Sequence, residues 1–320
     1  AGQADENAKA VVAAQLCEAA RDFGFFYVRE GPGQNNDVKD AAIAATKALF
    51  DLAQDEKDKL AAANSPLFRG YQHCGSYSHT CTPTDVVGPD QKESFTIGAT
   101  GSDSAMHGDN QWPDTLTDSA IRIPLQTYWD EMLLLARGVA MALALSLHLP
   151  EDFFVKEMDN PVAQMVLLRY PPPQPGGENL GCGAHTDCGF LTLLTQEDGV
   201  KGLEVQDVRT EQWIEAPALP GCILCNLGDM AQQWSNDYYR STRHRVVMSG
   251  NAPRHSIPFF CNLNFDAVVS PADSVCKTAL ATKLGEPKYP PVTAGNYICQ
   301  KLGLMHLCKE PASEDCTRGS

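Results

Sequence analysis

From Pro161 onward the chain is a succession of short, β-rich runs set off by turn-forming residues: VAQMVLLRY, FLTLLT, LEVQ, WIEA, CILCNL, RHRVVM and SIPFFCNLNF. Runs this short and this closely spaced predict a sandwich or barrel rather than a parallel α/β sheet. The first half has a different grammar. Val12, Leu16, Ala19 and Phe23 recur at helical spacing, as do Val38, Ala42, Ala45 and Leu49 behind a capping Asp37. The strongest helix is expected from Ser119 to Leu147, with Ile121, Leu125, Tyr128, Met132, Leu135, Val139, Ala142 and Ser146 as its buried stripe. Residues 64–115, rich in Gly, Ser, Thr, Pro and Asp, predict loop with a few short strands. PPPQPGGEN reads as a rigid loop feeding the next strand, and no internal repeat or low-complexity tract is found. The expected organisation is an all-β core with flanking helices: a helical and loop region over 1–115, a scaffold helix within 116–160, the β core over 161–310 and a tail over 311–320.

Composition narrows the function classes. With 43% hydrophobic residues, a 320-residue chain can bury a substantial core. A formal charge of −15 gives no general attraction to nucleic acid or to anionic membranes, so an anionic ligand needs dedicated local cations. The longest apolar stretch, Gly138 to Leu147, is too short to span a bilayer. Twelve cysteines are spread along the chain, many in apolar runs. Together with the absence of a sequon and of a signal-peptide pattern, they point to a reducing, cytoplasmic setting; a monomer is the expected state.

GAHTDCGF, residues 183–190, places His185 and Asp187 one residue apart. On a strand such residues share a face, with Thr186 turned away, so one short segment offers two metal ligands. On that pattern Cys182 and Cys188 face away from the metal, and Gly183 and Gly189 ease backbone crowding around it. The third candidate is His244 in STRHRVV. Two imidazoles and a carboxylate on one side of an ion suit non-haem iron(II) and leave other positions open, while zinc fits the same set with a water. HxD alone is as compatible with a polar turn. The CxxC of Cys222 and Cys225 lies inside GCILCNL and is read as buried strand, and His73, His107, His148, His255 and His306 lack ligand-like spacing.

After RHRVVM comes the turn-rich SGNAP and then RHSIPFFCNLNF, read as the return strand of a hairpin. Arg254, Ser256, Pro258 and Phe260 would share one face of it. A guanidinium fork beside a hydroxyl receives a carboxylate well, and hairpin pairing would bring that receptor next to His244.

Taken together, LLRYPPP, AHTDCGFLTLLTQ, GLEVQ, CNLGDMAQQWSN and STRHRVVMSGNAPRHS, with LCEAARDFGFFYV, FRGY and KESF in the first half, resemble the iron(II)/2-oxoglutarate-dependent oxygenases. The resemblance is to the branch with isopenicillin N synthase, plant flavonoid and gibberellin oxidases and ACC oxidase. It implies a double-stranded β-helix, or jelly roll, of the cupin-like kind. It further implies that His185, Asp187 and His244 hold Fe(II), and that Arg254 and Ser256 grip the distal carboxylate of 2-oxoglutarate with help from Tyr170. Many plant relatives carry asparagine two positions before that tyrosine, where this chain has Leu168; their usual first strand also has no counterpart ahead of Ala1. The implied reaction consumes dioxygen and 2-oxoglutarate and releases succinate and CO2. It oxidises, by default hydroxylates, a C–H bond of a small organic metabolite, with ascorbate as a reductant; desaturation and ring closure are variants. The alternative implied is an iron oxidase of the isopenicillin N synthase or ACC oxidase type that dispenses with 2-oxoglutarate, and a non-catalytic binding protein on the same fold is the remaining option. For the substrate pocket the candidates are Phe260, Arg69, Tyr77 and His79.

Overall fold

The first half builds a helical frame with three strands. Helix α1 (Gly2–Asp22) leads into β1 (Phe25–Arg29), followed by α2 (Asn36–Phe50), α3 (Gln54–Lys59), β2 (Gly70–Gln72), β3 (Glu93–Gly98) and the long helix α4 (Arg122–Ser146). The second half supplies β4 (Pro161–Tyr170), β5 (Leu180–His185), β6 (Leu191–Gln196), β7 (Leu203–Gln206), β8 (Trp213–Glu215), β9 (Cys222–Leu227), α5 (Asp229–Trp234), β10 (His244–Val247) and β11 (Arg254–Asn264). A small pair, β12 (Val268–Val269) and β13 (Val292–Thr293), flanks α6 (Ala281–Leu284) and precedes α7 (Ala294–Lys301). This computed structural model describes residues 2–29, 36–76, 90–101, 104–173, 179–271 and 275–304.

Two antiparallel sheets make the jelly roll. The major sheet has seven strands in the order β1-β9-β6-β11-β4-β3-β2, and the minor sheet four in the order β5-β10-β7-β8. The period of two sorts the major sheet's side chains. On one face Phe95, Ile97, Met165, Leu167, Leu193, Cys225, Ile257 and Phe259 join the main core with α4. Tyr128 of α4 donates to Thr195 Oγ1 at 2.8 Å, and Trp129 packs edge-on against Phe259. On the other face Leu168, Tyr170 and Leu224 meet Cys182, Leu203, Val246 and Met248 from the minor-sheet side in a second, smaller apolar cluster. That second cluster is the lining of the space between the sheets.

Three expectations need correction. The strands β10 and β11 do not form a hairpin: β10 pairs with β5 and β7, whereas β11 pairs with β4 and β6 in the opposite sheet. SGNAP therefore carries the chain from one sheet to the other, and His244 and Arg254 stand on two sheets rather than along one ribbon. In α1 the buried positions are Ala13, Leu16 and Ala20, while Val12 and Phe23 are exposed. With Ala10, Ala13, Ala14, Ala19 and Ala20 among the larger residues, adjacent stripes are similarly apolar. In α4 Leu125, Tyr128, Met132, Val139 and Ser146 are buried as expected, while Ala136 and Leu143 take the places of the half-buried Leu135 and Ala142, because a strict four-three alternation drifts against 3.6 residues per turn. β2 and β3 are the short strands expected within 64–115, and β3 extends the major sheet beside β4.

Candidate metal and cosubstrate site

His185 ends β5, Asp187 follows it, and His244 begins β10 directly opposite His185. One ligand atom from each lies within 4.8 Å of the other two. His185 Nε2 and His244 Nε2 stand 3.8 and 3.6 Å from Asp187 Oδ1. The far nitrogens are already engaged: His185 Nδ1 lies 2.7 Å from the Gly183 carbonyl and His244 Nδ1 3.1 Å from the Thr242 carbonyl. A carbonyl can only accept, so both Nδ1 atoms carry the proton and both Nε2 lone pairs point at the shared space. Phe25 abuts the His244 ring edge-on at 5.4 Å.

The carboxylate is fixed in the same way. Thr192 Oγ1 and Asn226 Nδ2 each donate to Asp187 Oδ2 at 2.6 Å, which leaves Oδ1 alone to face the imidazoles. Burial opposes charge on Asp187, yet the two imidazoles, Asn226 and Thr192 together hold it below the usual carboxylate range. Burial, then the neighbouring His185, lowers His244 to about 4, and burial likewise lowers His185. At neutral pH the trio is two neutral imidazoles and one carboxylate, the protonation state a divalent ion requires.

Backbone crowding around this corner is real at Gly189, where a Cβ would lie 2.0 Å from Asn262 Oδ1. It is equally real at Gly228, where a Cβ would meet the carbonyls of Gly189 and Asp187 at 2.2 and 2.7 Å. Gly228 lets the start of α5 approach close enough for Asp229 N–H to reach the Asp187 carbonyl at 2.7 Å.

Cys182 does not face away as a regular strand would have it. The β5–β10 register shifts between His185 and Cys182, and this bulge brings Cys182 Sγ to 3.8 Å from His185 Nδ1 and 3.1 Å from Lys92 Nζ. Lys92 in turn pairs with Asp90 at 3.0 Å, and Asp90 Oδ1 accepts the Gly183 N–H at 2.9 Å, so this buried pair pins the strand that carries His185. Cys188 packs on the main core, as expected. Cys222 and Cys225 fall on opposite faces of β9, with Cys225 in the main core, which rules out a shared ion.

On β11 of the major sheet, Arg254 is buried at 5% exposure, with its guanidinium 4.9 Å over the Tyr170 ring. It donates to Ser256 Oγ at 3.1 Å and to Gln196 Oε1 at 2.7 Å, while its Nε has no partner. Among the described residues no carboxylate comes within ion-pairing distance of it. A buried cation without a counter-charge is costly, so the arrangement fits a ligand that brings its own carboxylate. Ser256 sits opposite Leu168 on β4, so the neighbouring position adds an apolar wall rather than an amide.

The substrate candidates separate. Phe260 is half-buried and lies opposite Thr192, on the face that carries the Asp187 anchor. Arg69 is no pocket residue: it is 1% exposed and spends its guanidinium on the carbonyls of Gly108, Ala99 and Met106 and on Asn110. It ties a loop rather than reading a ligand. Tyr77 and His79 lie outside the described residues. His255 is a satisfied buried histidine, held by Glu197 at 3.0 Å. Sequence reasoning passed over Thr192, Asn226 and Gln196. Their available signal was a polar residue on the inward beat of an otherwise apolar strand.

Comparison with known proteins gives the same picture. Residues 162–263 match the 2OG-Fe(II) oxygenase superfamily, and residues 1–115 match the family described as non-haem dioxygenase in morphine synthesis N-terminal. A 2-oxoglutarate-dependent dioxygenase of Aspergillus niger is 34% identical over 85% of this chain and 85% of its own. A homoarginine-6-hydroxylase of Arabidopsis thaliana is 36% identical over 86% of this chain and 83% of its own. Among solved structures, a full-length Neurospora crassa protein in complex with alpha-KG superposes with a TM-score of 0.79 at 27% identity, covering 93% of this chain and 92% of that one. The dioxygenase for auxin oxidation of rice superposes at 0.69 and 27% identity, covering 92% and 90%. The jelly roll, the facing histidine–aspartate–histidine trio and these relatives agree: the chain belongs to the 2-oxoglutarate–Fe(II) oxygenase superfamily and is a 2-oxoglutarate-dependent dioxygenase that uses Fe(II).

Proposed function

We propose that His185, Asp187 and His244 hold the Fe(II), that Arg254 and Ser256 bind the distal carboxylate of 2-oxoglutarate beside Tyr170, and that the enzyme hydroxylates a C–H bond of a small organic metabolite. The observation that carries this reading is the buried Arg254, with no acidic partner among the described residues, on the sheet opposite the strands that carry His185 and His244. Held there, Fe(II) would supply the redox chemistry that couples the oxidation of 2-oxoglutarate by dioxygen to the oxidation of the substrate.

The chain's own residues do the rest. The two Nδ1–H···O=C bonds hold the imidazoles with Nε2 forward, and Thr192 with Asn226 keeps Asp187 to a single coordinating oxygen. Arg254 orients the cosubstrate by its far end, and burial keeps the Tyr170 phenol protonated and able to donate. The apolar cluster of Leu168, Leu203, Leu224, Val246 and Met248 excludes water from the cosubstrate chain. Phe260 walls the substrate side.

A hydroxylase reading is supported by the homoarginine hydroxylases among the relatives and by the Neurospora crassa neighbour solved with alpha-KG and thymine. In the same reading the enzyme is monomeric and cytoplasmic. Cys182, Cys225 and Cys261 are buried free thiols, and no helix among the described residues is long and apolar enough to cross a membrane. The division into 1–115, 116–160, 161–310 and 311–320 is proposed as a division of labour within one fold, since β1, β2 and β3 pair into the major sheet. Screening a metabolite library for oxygen-dependent succinate release tests the function. A compound that raises succinate and gains one oxygen atom supports it; succinate release that no small metabolite stimulates contradicts it.

A further inference from the structure

Gln196, Glu197 and Asp198 are consecutive at the end of β6, and the fold treats the acids and the amide differently. Glu197 accepts the His255 N–H at 2.8 Å and Nδ1 at 3.0 Å on one oxygen and pairs with Lys47 of α2 at 2.5 Å on the other. Asp198 pairs with Lys39 of α2 at 2.6 Å. Both acids are thus committed to groups other than Arg254. Only the neutral amide is presented to it, with Gln196 Oε1 2.7 Å from the guanidinium and the residue 4% exposed. Gln196 stands opposite Ser256 in the ladder, so amide and hydroxyl take hold of two different nitrogens of one guanidinium.

An acid at this position would aim Arg254 just as well but would neutralise it, leaving a cosubstrate carboxylate to face a buried carboxylate. An apolar residue would preserve the charge and lose the aim. We infer that Gln196 is a positioning residue for the cosubstrate, a neutral acceptor that fixes the Arg254 fork while leaving its charge available to the distal carboxylate of 2-oxoglutarate. This rests on the assignment of Arg254 and Ser256 as the carboxylate clamp.

The test is calorimetric titration of 2-oxoglutarate into the Mn(II)-loaded protein without oxygen, for wild type, Gln196→Glu and Gln196→Met. Gln196→Glu should weaken binding about tenfold or more, with the melting temperature of the metal-free protein unchanged or raised by the new pair with Arg254. Gln196→Met should weaken it by about three- to tenfold. Oxalate, which can chelate the metal but is too short to reach the clamp as well, should bind both variants as it binds wild type. The inference is overturned if Gln196→Glu binds 2-oxoglutarate within twofold of wild type. It is also overturned if both variants lose oxalate and 2-oxoglutarate alike together with melting temperature, which is the signature of packing. Should Gln196→Glu fail to fold, Gln196→Met decides alone, a change within twofold overturning the inference. A wild type with no saturable 2-oxoglutarate binding would instead overturn the clamp assignment itself.

Discussion

Replacing Thr192 by valine isolates the carboxylate anchor, because it removes one hydroxyl and keeps the branched shape. Asp187 Oδ2 accepts two hydrogen bonds of 2.6 Å, from Thr192 and Asn226, and the variant halves that support. A hydrogen bond to a charged group contributes about 1.5–3 kcal/mol, and loss of a partner that orients a metal ligand typically weakens metal binding by about 10- to 100-fold. Both routes give the same range, since a factor of ten corresponds to about 1.4 kcal/mol. Calorimetric titration of Mn(II) into the metal-free protein should show that loss for Thr192→Val. Thr192→Ser, which retains the hydroxyl, should stay within about threefold of wild type. Thr192 is 5% exposed and its methyl is preserved, so the metal-free melting temperature should move by no more than a few degrees. Metal affinity within twofold of wild type in Thr192→Val would refute the idea that Oδ2 is anchored so that Oδ1 can coordinate.

Other expectations follow from the same geometry. Gly228→Ala places a methyl against the Gly189 and Asp187 carbonyls, so it should displace the Asp187 loop and lower both metal affinity and melting temperature; a fully active, equally stable variant would contradict the crowding. Arg254→Lys keeps the charge but loses the fork, and should raise the KM for 2-oxoglutarate by about tenfold or more, with metal affinity unchanged; an unaltered KM would remove Arg254 from the cosubstrate site. Glu197 is held at about 2, below its ordinary 4.5, by His255 and Lys47 against the opposing effect of burial. A depressed carboxylate stabilises the fold above its unfolded pKa and loses that contribution as pH falls from about 4.5 toward about 2. Glu197→Gln should therefore lie below wild type in melting temperature at pH 7, and the gap should close on acidification through that window. A gap independent of pH would contradict the pairing.

Much of the site was legible in the sequence because strand grammar is local. The alternation in FLTLLT and CILCNL, and the placement of His185, Asp187, Arg254 and Ser256 on inward beats, depend only on a period of two. What was not legible depended on which strand lies beside which. RHRVVM–SGNAP–RHSIPFF carries every local signal of a hairpin, yet each run has better partners in its own sheet, β5 and β7 for one, β4 and β6 for the other. Arg69 resembles a pocket cation until three backbone carbonyls from a distant loop are seen around it. Cys182 was misplaced because a bulge changes the parity on which the argument rested. Thr192, Asn226 and Gln196 act on other side chains, and their partners stand 5, 39 and 58 residues away.

The central claim is that a metal on His185, Asp187 and His244 and a carboxylate on Arg254 together make one cosubstrate site between the two sheets. Oxygen-free calorimetry of 2-oxoglutarate binding tests it directly, run on wild type with and without Mn(II) and on Mn(II)-supplied His244→Ala and Arg254→Ala. Saturable one-to-one binding should appear in metal-loaded wild type and be lost or severely weakened in each of the other three cases. Undiminished binding without the metal, or in either variant, would contradict it.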